Sequence, residues 1–536
     1  MRISGRRWNA IVFIAALCVL IFESACGRRR QAGAPKTAGA ASSQVLTVLL
    51  GSEPLNMDPA LISDPESAAV AAQVYEGLVT LEPGTVRVAP ALAQRWETSA
   101  DGLRLTFQLK EGVFFHDGTP CDADAVKFSL LRQCDPNHPY HLGGRMRFAK
   151  LLFGDPASTE TELVRDVSAP DSRTVVIELA RPFSPFLRNL ATVQASVVSP
   201  SAVQTLGDDF NTTMVGTGPF RLMPSRAGAT VLARNEAYHG PAAPLKELRF
   251  KVSRDAAARA AALAKGDADL AAGLDGRARA MLADAKNICM SDDPAMNVSY
   301  LALNCARTPL DNRLVRQAVA AALDATVLVE SAMDRAFVPA AGLLPPGMTG
   351  HDPARRPAVG NLERARRLLE EAGYPNGFTV TLAIQTRPRI FCTNPAKLAA
   401  KIREDLGRAG ISVRIEEKDM NAFADSLKRR DYQMALTGWV ADTGDPDNFL
   451  HPMVRQPDND QNYSSDGVAQ LMAAAAAEPD EVARAELYRK VEALVLADAP
   501  VIPISHARHP FGVHARVKGF KFPPLLVPRL AGVSAE

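Results

Sequence analysis

Three aspartates set close together, Asp442, Asp445 and Asp447, are the residues whose type and spacing most suggest chemistry. Such carboxylates could hold a calcium ion or meet a cationic group of a ligand. A calcium loop needs Gly at its sixth position and a bidentate Glu at its twelfth; here the sixth is Asp447 and the Glu is missing. The histidines group as His138 with His141 and as His506, His509 and His514. Neither group has a carboxylate or cysteine at ligand spacing, so both read as surface or core histidines and no metal is expected. The chain has no Gly-Lys dipeptide for a phosphate loop, no G-x-S-x-G elbow and no H-E-x-x-H pair. These residues point to binding rather than to an enzyme, and no cofactor is expected.

A chain of 536 residues, at roughly 150 per domain, predicts three to four domains. Its 47% hydrophobic content and net charge of +2 exclude wholesale disorder, and near-neutrality offers no electrostatic reason to expect nucleic acid. Only one stretch is long and apolar enough to enter a bilayer. It runs from about Ala10 to Phe22, after Arg2, Arg6 and Arg7 and before Glu23-Ser24-Ala25-Cys26. A basic start, a short apolar run and small residues before a cut describe an export signal, and the run is shorter than the ~20 residues of a spanning helix. The Ala- and Gly-rich residues 31–41 lack periodicity and read as a flexible tether. Export would permit disulfides. Cys121 with Cys134 and Cys289 with Cys305 are possible local pairs, leaving Cys392; free buried thiols are the alternative, and spacing does not decide.

The elements that must position these residues alternate between strand and helix, which makes the fold class α/β. Leu103, Leu105, Phe107 and Leu109 alternate with polar neighbours, as do Val175, Ile177 and Leu179, and predict half-buried strands. A helix begins near Asp122, and an alanine-rich helix is expected over 255–272 by propensity. Asn361 can cap a helix that Gly373 ends. A strand (Phe378 to Ile384), a helix (Leu398 to Leu406) and a second strand (Ile411 to Ile415) follow, a βαβ unit with parallel strands. Another helix spans about Glu481 to Asp498.

Several runs together resemble the peptide-binding branch of the bacterial ABC-transporter solute-binding proteins of family 5. They include Glu53 to Pro59, Tyr75-Glu76-Gly77-Leu78, Leu92 to Glu97, Phe115 to Pro120, Gly216-Thr217-Gly218-Pro219-Phe220, Arg234 to Tyr238, Tyr300 to Asn304 and Leu369 to Tyr374. Gly438 to Phe449, Asn137 to His141, Arg387-Pro388 and Val517 to Phe520 are most similar to dipeptide-binding proteins. The resemblance implies an α/β fold of two lobes closing on ligand, with an extra domain packed on the first. The expected divisions are 1–26 signal, 27–42 tether, 43–76 with 200–304 and 506–536 as lobe one, 77–199 as extra domain, and 305–505 as lobe two. It further implies a monomer outside the cytoplasm that captures dipeptides or short peptides and delivers them to ABC permease subunits. Haem, a nickel chelate, an oligosaccharide or a signalling peptide is the alternative ligand on the same fold.

A short peptide is a zwitterion, so a closing cleft must neutralise one ammonium and one carboxylate, because an unpaired buried charge costs several kcal/mol. Asp442 matches the family's partner for the α-amino group, and Arg387 matches the arginine that takes the α-carboxylate of dipeptides. The segment after Arg387 departs from the pattern: an aromatic is replaced by Arg389, and Phe391 and Cys392 lengthen the loop. Two arginines there suit either a more negative ligand or one solvent-facing side chain. Trp439, after Gly438, is placed as a pocket wall and Tyr140 as a closing residue, with core packing the rival for both. Gly216 to Phe220 is expected to shape backbone near the hinge, since paired glycines permit unusual torsions.

Cys26 also resembles a lipobox cysteine, although the aliphatic residue expected three positions earlier is Glu23. Labelled palmitate is expected to enter the wild-type protein and to be lost in Cys26→Ser; equal labelling of both would remove the anchor.

Overall fold

The computed structural model describes residues 44–158, 161–224, 228–454 and 459–536; the export signal, Cys26 and the tether lie outside them. Two mixed sheets organise this chain. The first has seven strands in the order Ile288–Cys289, Gly512–His514, Leu270–Ala271, Val45–Leu50, Glu247–Val252, Ala229–Arg234 and Phe220–Leu222. The second has six, in the order Phe337–Pro339, Val501–Ala507, Asn297–Leu303, Met434–Val440, Phe378–Gln385 and Ile411–Lys418. A separate four-stranded sheet within 77–199 carries Ala93–Thr98, Arg104–Leu109, Thr174–Leu179 and Val164–Asp171, with the helix Ala123–Cys134 beside it. Among the described residues no helix is long and apolar enough to cross a membrane.

The second sheet shows why its strands read as they do. Leu301 and Leu303 pack into one hydrophobic cluster while Val298, Tyr300 and Ala302 pack into another on the opposite face. A strand buried on both faces loses the polar alternation of a surface strand, and Asn297–Leu303 is buried at every position. Leu398, Ile402 and Leu406 of the helix Pro395–Arg408 join Val380, Leu382 and Ile384 in the first of these clusters. Phe378–Gln385 and Ile411–Lys418 pair in parallel along their whole length, as the βαβ reading predicts. Asn361 accepts from the backbone N–H of Arg364 at 2.8 Å and starts the helix Leu362–Glu371.

Two expectations need correction. Asn297–Leu303 pairs with Met434–Val440 and Val501–Ala507, so it belongs to the second lobe and not to the first. The six-stranded sheet therefore draws its strands from between Asn297 and Ala507. The alanine-rich helix stops early: it spans Ala256–Lys265, Gly266 adopts a left-handed conformation (φ 80°), and Leu270–Ala271 is a strand. Alanine propensity carries no stop signal, whereas a glycine C-cap does. Of the two alternatives left open for the cysteines, the structure has free thiols at Cys121, Cys134, Cys289, Cys305 and Cys392. Cys289 lies on a first-sheet strand and Cys305 follows a second-sheet strand, while burial pushes the Cys134 and Cys392 thiols up to about 12.

The chain crosses between lobes twice, before 297 and after 507, and one side chain stitches the crossings together. Asn297, fully buried, donates from Nδ2 to the Ala507 carbonyl (2.9 Å) and accepts at Oδ1 from the Ala507 N–H (2.7 Å). His506 Nδ1 donates to the Asn297 carbonyl at 2.5 Å, and burial lowers the imidazole pKa to about 4, which keeps it neutral.

A second tie joins the extra domain to lobe two. Asp445, fully buried, accepts from Arg484 Nη1 (2.8 Å) and Nη2 (2.6 Å), and from Arg188 Nη1 (2.8 Å) on the extra domain's helix Phe186–Leu190. Arg188 also donates to the Val86 carbonyl, Thr349 and Glu481. Burial alone would raise the Asp445 pKa; the two guanidiniums, Arg484 foremost, outweigh it and hold the carboxyl below its ordinary value. Asp445→Asn keeps the shape and leaves Arg484, 1% exposed, facing no full charge. Loss of one partner from a buried ion pair typically costs about 3–5 kcal/mol, so urea unfolding should register a drop of that order. A change within experimental error would show that the pair carries no net stability.

Candidate functional site

A cavity of about 630 Å³ lies where the three parts of the chain meet. Small-molecule sites commonly occupy ~300–1,000 Å³. Lobe one contributes Ser63, Asp64 and Ala68 at the start of the helix Pro65–Ala71, and the C-terminal tail from Lys521 to Arg529. The extra domain contributes residues 81–85, Phe148 and 191–194; lobe two contributes Pro388, Arg389, Ile390, Val440, Ala441 and Asp442.

Asp442 leaves the end of the strand Met434–Val440, where the Ala441 N–H donates to the Met296 carbonyl at 2.9 Å. The next turn needs Gly444 in a left-handed conformation (φ 73°), and the helix Pro446–Val454 follows. Asn448 on that helix donates to the Asp442 carboxylate at 3.4 Å and accepts from its backbone N–H at 3.3 Å. Asp445 anchors the turn through its two arginines. The loop is thus held from behind, and Asp442 lines the cavity with the Asn448 amide as its only hydrogen-bonded side-chain partner among the described residues. Burial, partly offset by Asn448, raises its pKa to about 6. A sequestered carboxylate with no cation of its own is a place for a cation from outside.

The other residues singled out from sequence lie outside the lining. Arg387 is exposed, while its successors Pro388, Arg389 and Ile390 form the wall. A tight turn explains this: Arg389 and Cys392 exchange backbone hydrogen bonds of 2.9 and 3.0 Å, and the Arg389 guanidinium lies 5.8 Å from the Phe391 ring centroid. Phe391 packs over Gly438, where a Cβ would approach the ring to 2.4 Å and the Val298 carbonyl to 2.6 Å. Gly438 is therefore required for backbone approach. Trp439 is half-buried against the lobe-two core, with its indole Nε1 buried and without a hydrogen-bond partner among the described residues. Tyr140 packs at a tilt against Phe128 and His138, ring centroids 5.7 and 6.0 Å away, on the lobe-one core.

Gly216 and Gly218 show a different reason from the one expected. Neither has a positive φ; a Cβ on Gly216 would meet the Val74 carbonyl at 2.2 Å, and one on Gly218 the Val74 backbone at 2.7 Å. Close approach of two segments, rather than unusual torsion, excludes a side chain there. Sequence reasoning missed Lys521 and Arg529, because no motif marks the tail as part of the cavity; its prolines, from Pro523 to Pro528, signal only an extended segment. Among the described residues no group of three or more His, Cys, Asp or Glu is placed to hold a metal ion.

Residues 87–461 match the pattern of the bacterial extracellular solute-binding proteins, family 5, middle region. The heme-binding protein A of Haemophilus influenzae is 30% identical, with 98% of both chains covered. The dipeptide-binding protein of Escherichia coli is 31% identical over 93% of this chain and 96% of its own. Among solved structures, a periplasmic binding protein from Helicobacter pylori in complex with the peptide STSA superposes with a TM-score of 0.75 at 30% identity, covering 92% of this chain and 98% of that one.

Proposed function

Because the chain belongs to the family 5 bacterial extracellular solute-binding proteins, whose members work outside the cytoplasm, we propose that it captures short peptides and hands them to an ABC permease in the membrane. The observation that carries this reading is Asp442: a cavity-lining carboxylate, its pKa raised by burial, whose only hydrogen-bonded side-chain partner among the described residues is an amide. A peptide α-ammonium supplies the missing counter-charge. The relatives that bind dipeptides and the peptide STSA support the same class of ligand. Capture would proceed by population shift towards the closed arrangement of the lobes, with no bond made or broken. We further place the mature protein in the periplasm or on the outer cell surface, as a monomer held by a lipid on Cys26.

Haem is the ligand named for the Haemophilus influenzae relative. The described residues lining the cavity include no His, Cys, Met or Tyr, the side chains that usually ligate haem iron. This favours the peptide reading over the haem one.

Calorimetric titration against a panel of dipeptides, tripeptides and haem tests the reading. Heat is expected with at least one peptide; silence with all peptides, together with saturable binding of another solute, would overturn it. Asp442→Ala should abolish peptide binding, and wild-type affinity in that variant would remove Asp442 from the site.

The pH dependence follows from the same group. In the free protein Asp442 loses its proton near pH 6, and a ligand ammonium favours the charged form. Affinity should therefore be full above pH 6 and fall by roughly tenfold per pH unit below it. Asp442→Asn should flatten that slope, and an unchanged slope would assign the titration to another group.

A further inference from the structure

The cavity lining carries three basic and three acidic residues, and they differ in how far each is already engaged. Its basic residues are Arg389, Lys521 and Arg529; its acidic ones are Asp64, Glu82 and Asp442. Two of the acids are committed elsewhere. Asp64 caps the helix Pro65–Ala71, accepting from the Ser67 N–H (2.7 Å) and hydroxyl (2.7 Å). Glu82 pairs with Arg87 at 2.5 Å, outside the lining. Only Asp442 is left as an uncommitted acid.

The three cations are in the opposite condition. Among the described residues, the Arg389 guanidinium contacts the sulfur of Met420 at 3.8 Å and the face of Phe391. Lys521 is exposed at the cavity edge. Arg529 is the most firmly built. Gln73, 1% exposed, donates to the Pro528 carbonyl (2.7 Å) and accepts from the Leu530 N–H (3.0 Å), so both peptide units flanking Arg529 are clamped. Its Nη1 donates to the Ala72 carbonyl at 3.2 Å, at the end of the helix Pro65–Ala71. A guanidinium has five N–H donors, so most of this one remains available. Glu76 and Tyr238 favour its charge from a distance, yet desolvation dominates and lowers its pKa. An oriented, partly desolvated guanidinium on a cavity wall is suited to a carboxylate, which it can grip through two parallel bonds.

We propose that Arg529, assisted by Arg389 and Lys521, forms an anion subsite in the cavity that holds Asp442, and that the preferred ligands are short peptides carrying a carboxylate beyond the α-carboxylate. The proposal rests on the peptide reading above and narrows it. One ammonium meets Asp442; two carboxylates share three cations. A neutral or basic peptide leaves cations desolvated and unmatched when the lobes close.

Titrating the purified protein with Ala-Ala, Ala-Glu and Ala-Lys separates the possibilities. Ala-Glu should bind at least about tenfold more tightly than Ala-Ala, with Ala-Lys weakest, the range expected of charge-assisted pairs out of water. Arg529→Gln should erase most of the Ala-Glu advantage and Arg529→Lys should retain part of it; Arg389→Gln, on an exposed turn, should reduce it without affecting thermal stability. Equal affinity for Ala-Glu and Ala-Ala would overturn the anion subsite and leave peptide capture standing. An undiminished Ala-Glu advantage in both glutamine variants would overturn the assignment to these arginines. Absence of binding to all three peptides, with uptake of a non-peptide solute, would overturn both readings.

Discussion

The Asp445 carboxylate, buried between Arg188 and Arg484, is the interaction on which the rest of the arrangement depends. An isolated carboxylate at that depth would be prohibitively costly, and a single arginine would leave lone pairs unsatisfied. Two guanidiniums and the Asp447 N–H resolve this together. Because one arginine comes from the extra domain and the other from lobe two, satisfying the charge also fixes those parts against each other. The same turn carries Asp442 and, through Asn448, sets its carboxylate at the cavity wall.

Asp442 and Asp445 are three residues apart and have opposite electrostatic fates. Asp445 is neutralised within the protein and held ionised; Asp442 is desolvated, unneutralised and shifted to about 6. The first is a structural charge and the second an open one. The cavity's other charges differ too: Asp64 caps a helix and Glu82 pairs with Arg87, while Arg389, Lys521 and Arg529 have no ion-pair partner among the described residues. A binding site can be located by what remains electrostatically unfinished after the fold has satisfied itself.

Much of the local structure was legible in advance because its causes are local. The cap at Asn361, the alternation through Phe378–Gln385 and the helix Glu481–Asp498 each depend on neighbours within a turn or two. Misplacements arose where a distant partner decides. Asn297–Leu303 follows lobe-one segments in sequence but finds its strand partners more than a hundred residues later. Arg387 is one residue away from the cavity wall, and the turn that Arg389 and Cys392 close by backbone hydrogen bonds puts Arg389 there instead. Gly216 and Gly218 looked like torsional glycines, but the Val74 backbone that excludes their side chains lies far away in sequence.

The sequence by itself determined the element types, the βαβ unit, the family resemblance and the presence of an acidic residue at Asp442, since periodicity, capping and motif order are properties of the chain read in one dimension. It also contained Arg529, though with nothing to mark it. Tertiary structure alone decided which charges are spoken for. Whether a carboxylate or guanidinium is matched depends on what lies within a few ångströms after folding and on how much water has been removed around it. Those are three-dimensional quantities, and they separate Asp445 from Asp442 and bring Arg529 into the lining of the same cavity as Asp442.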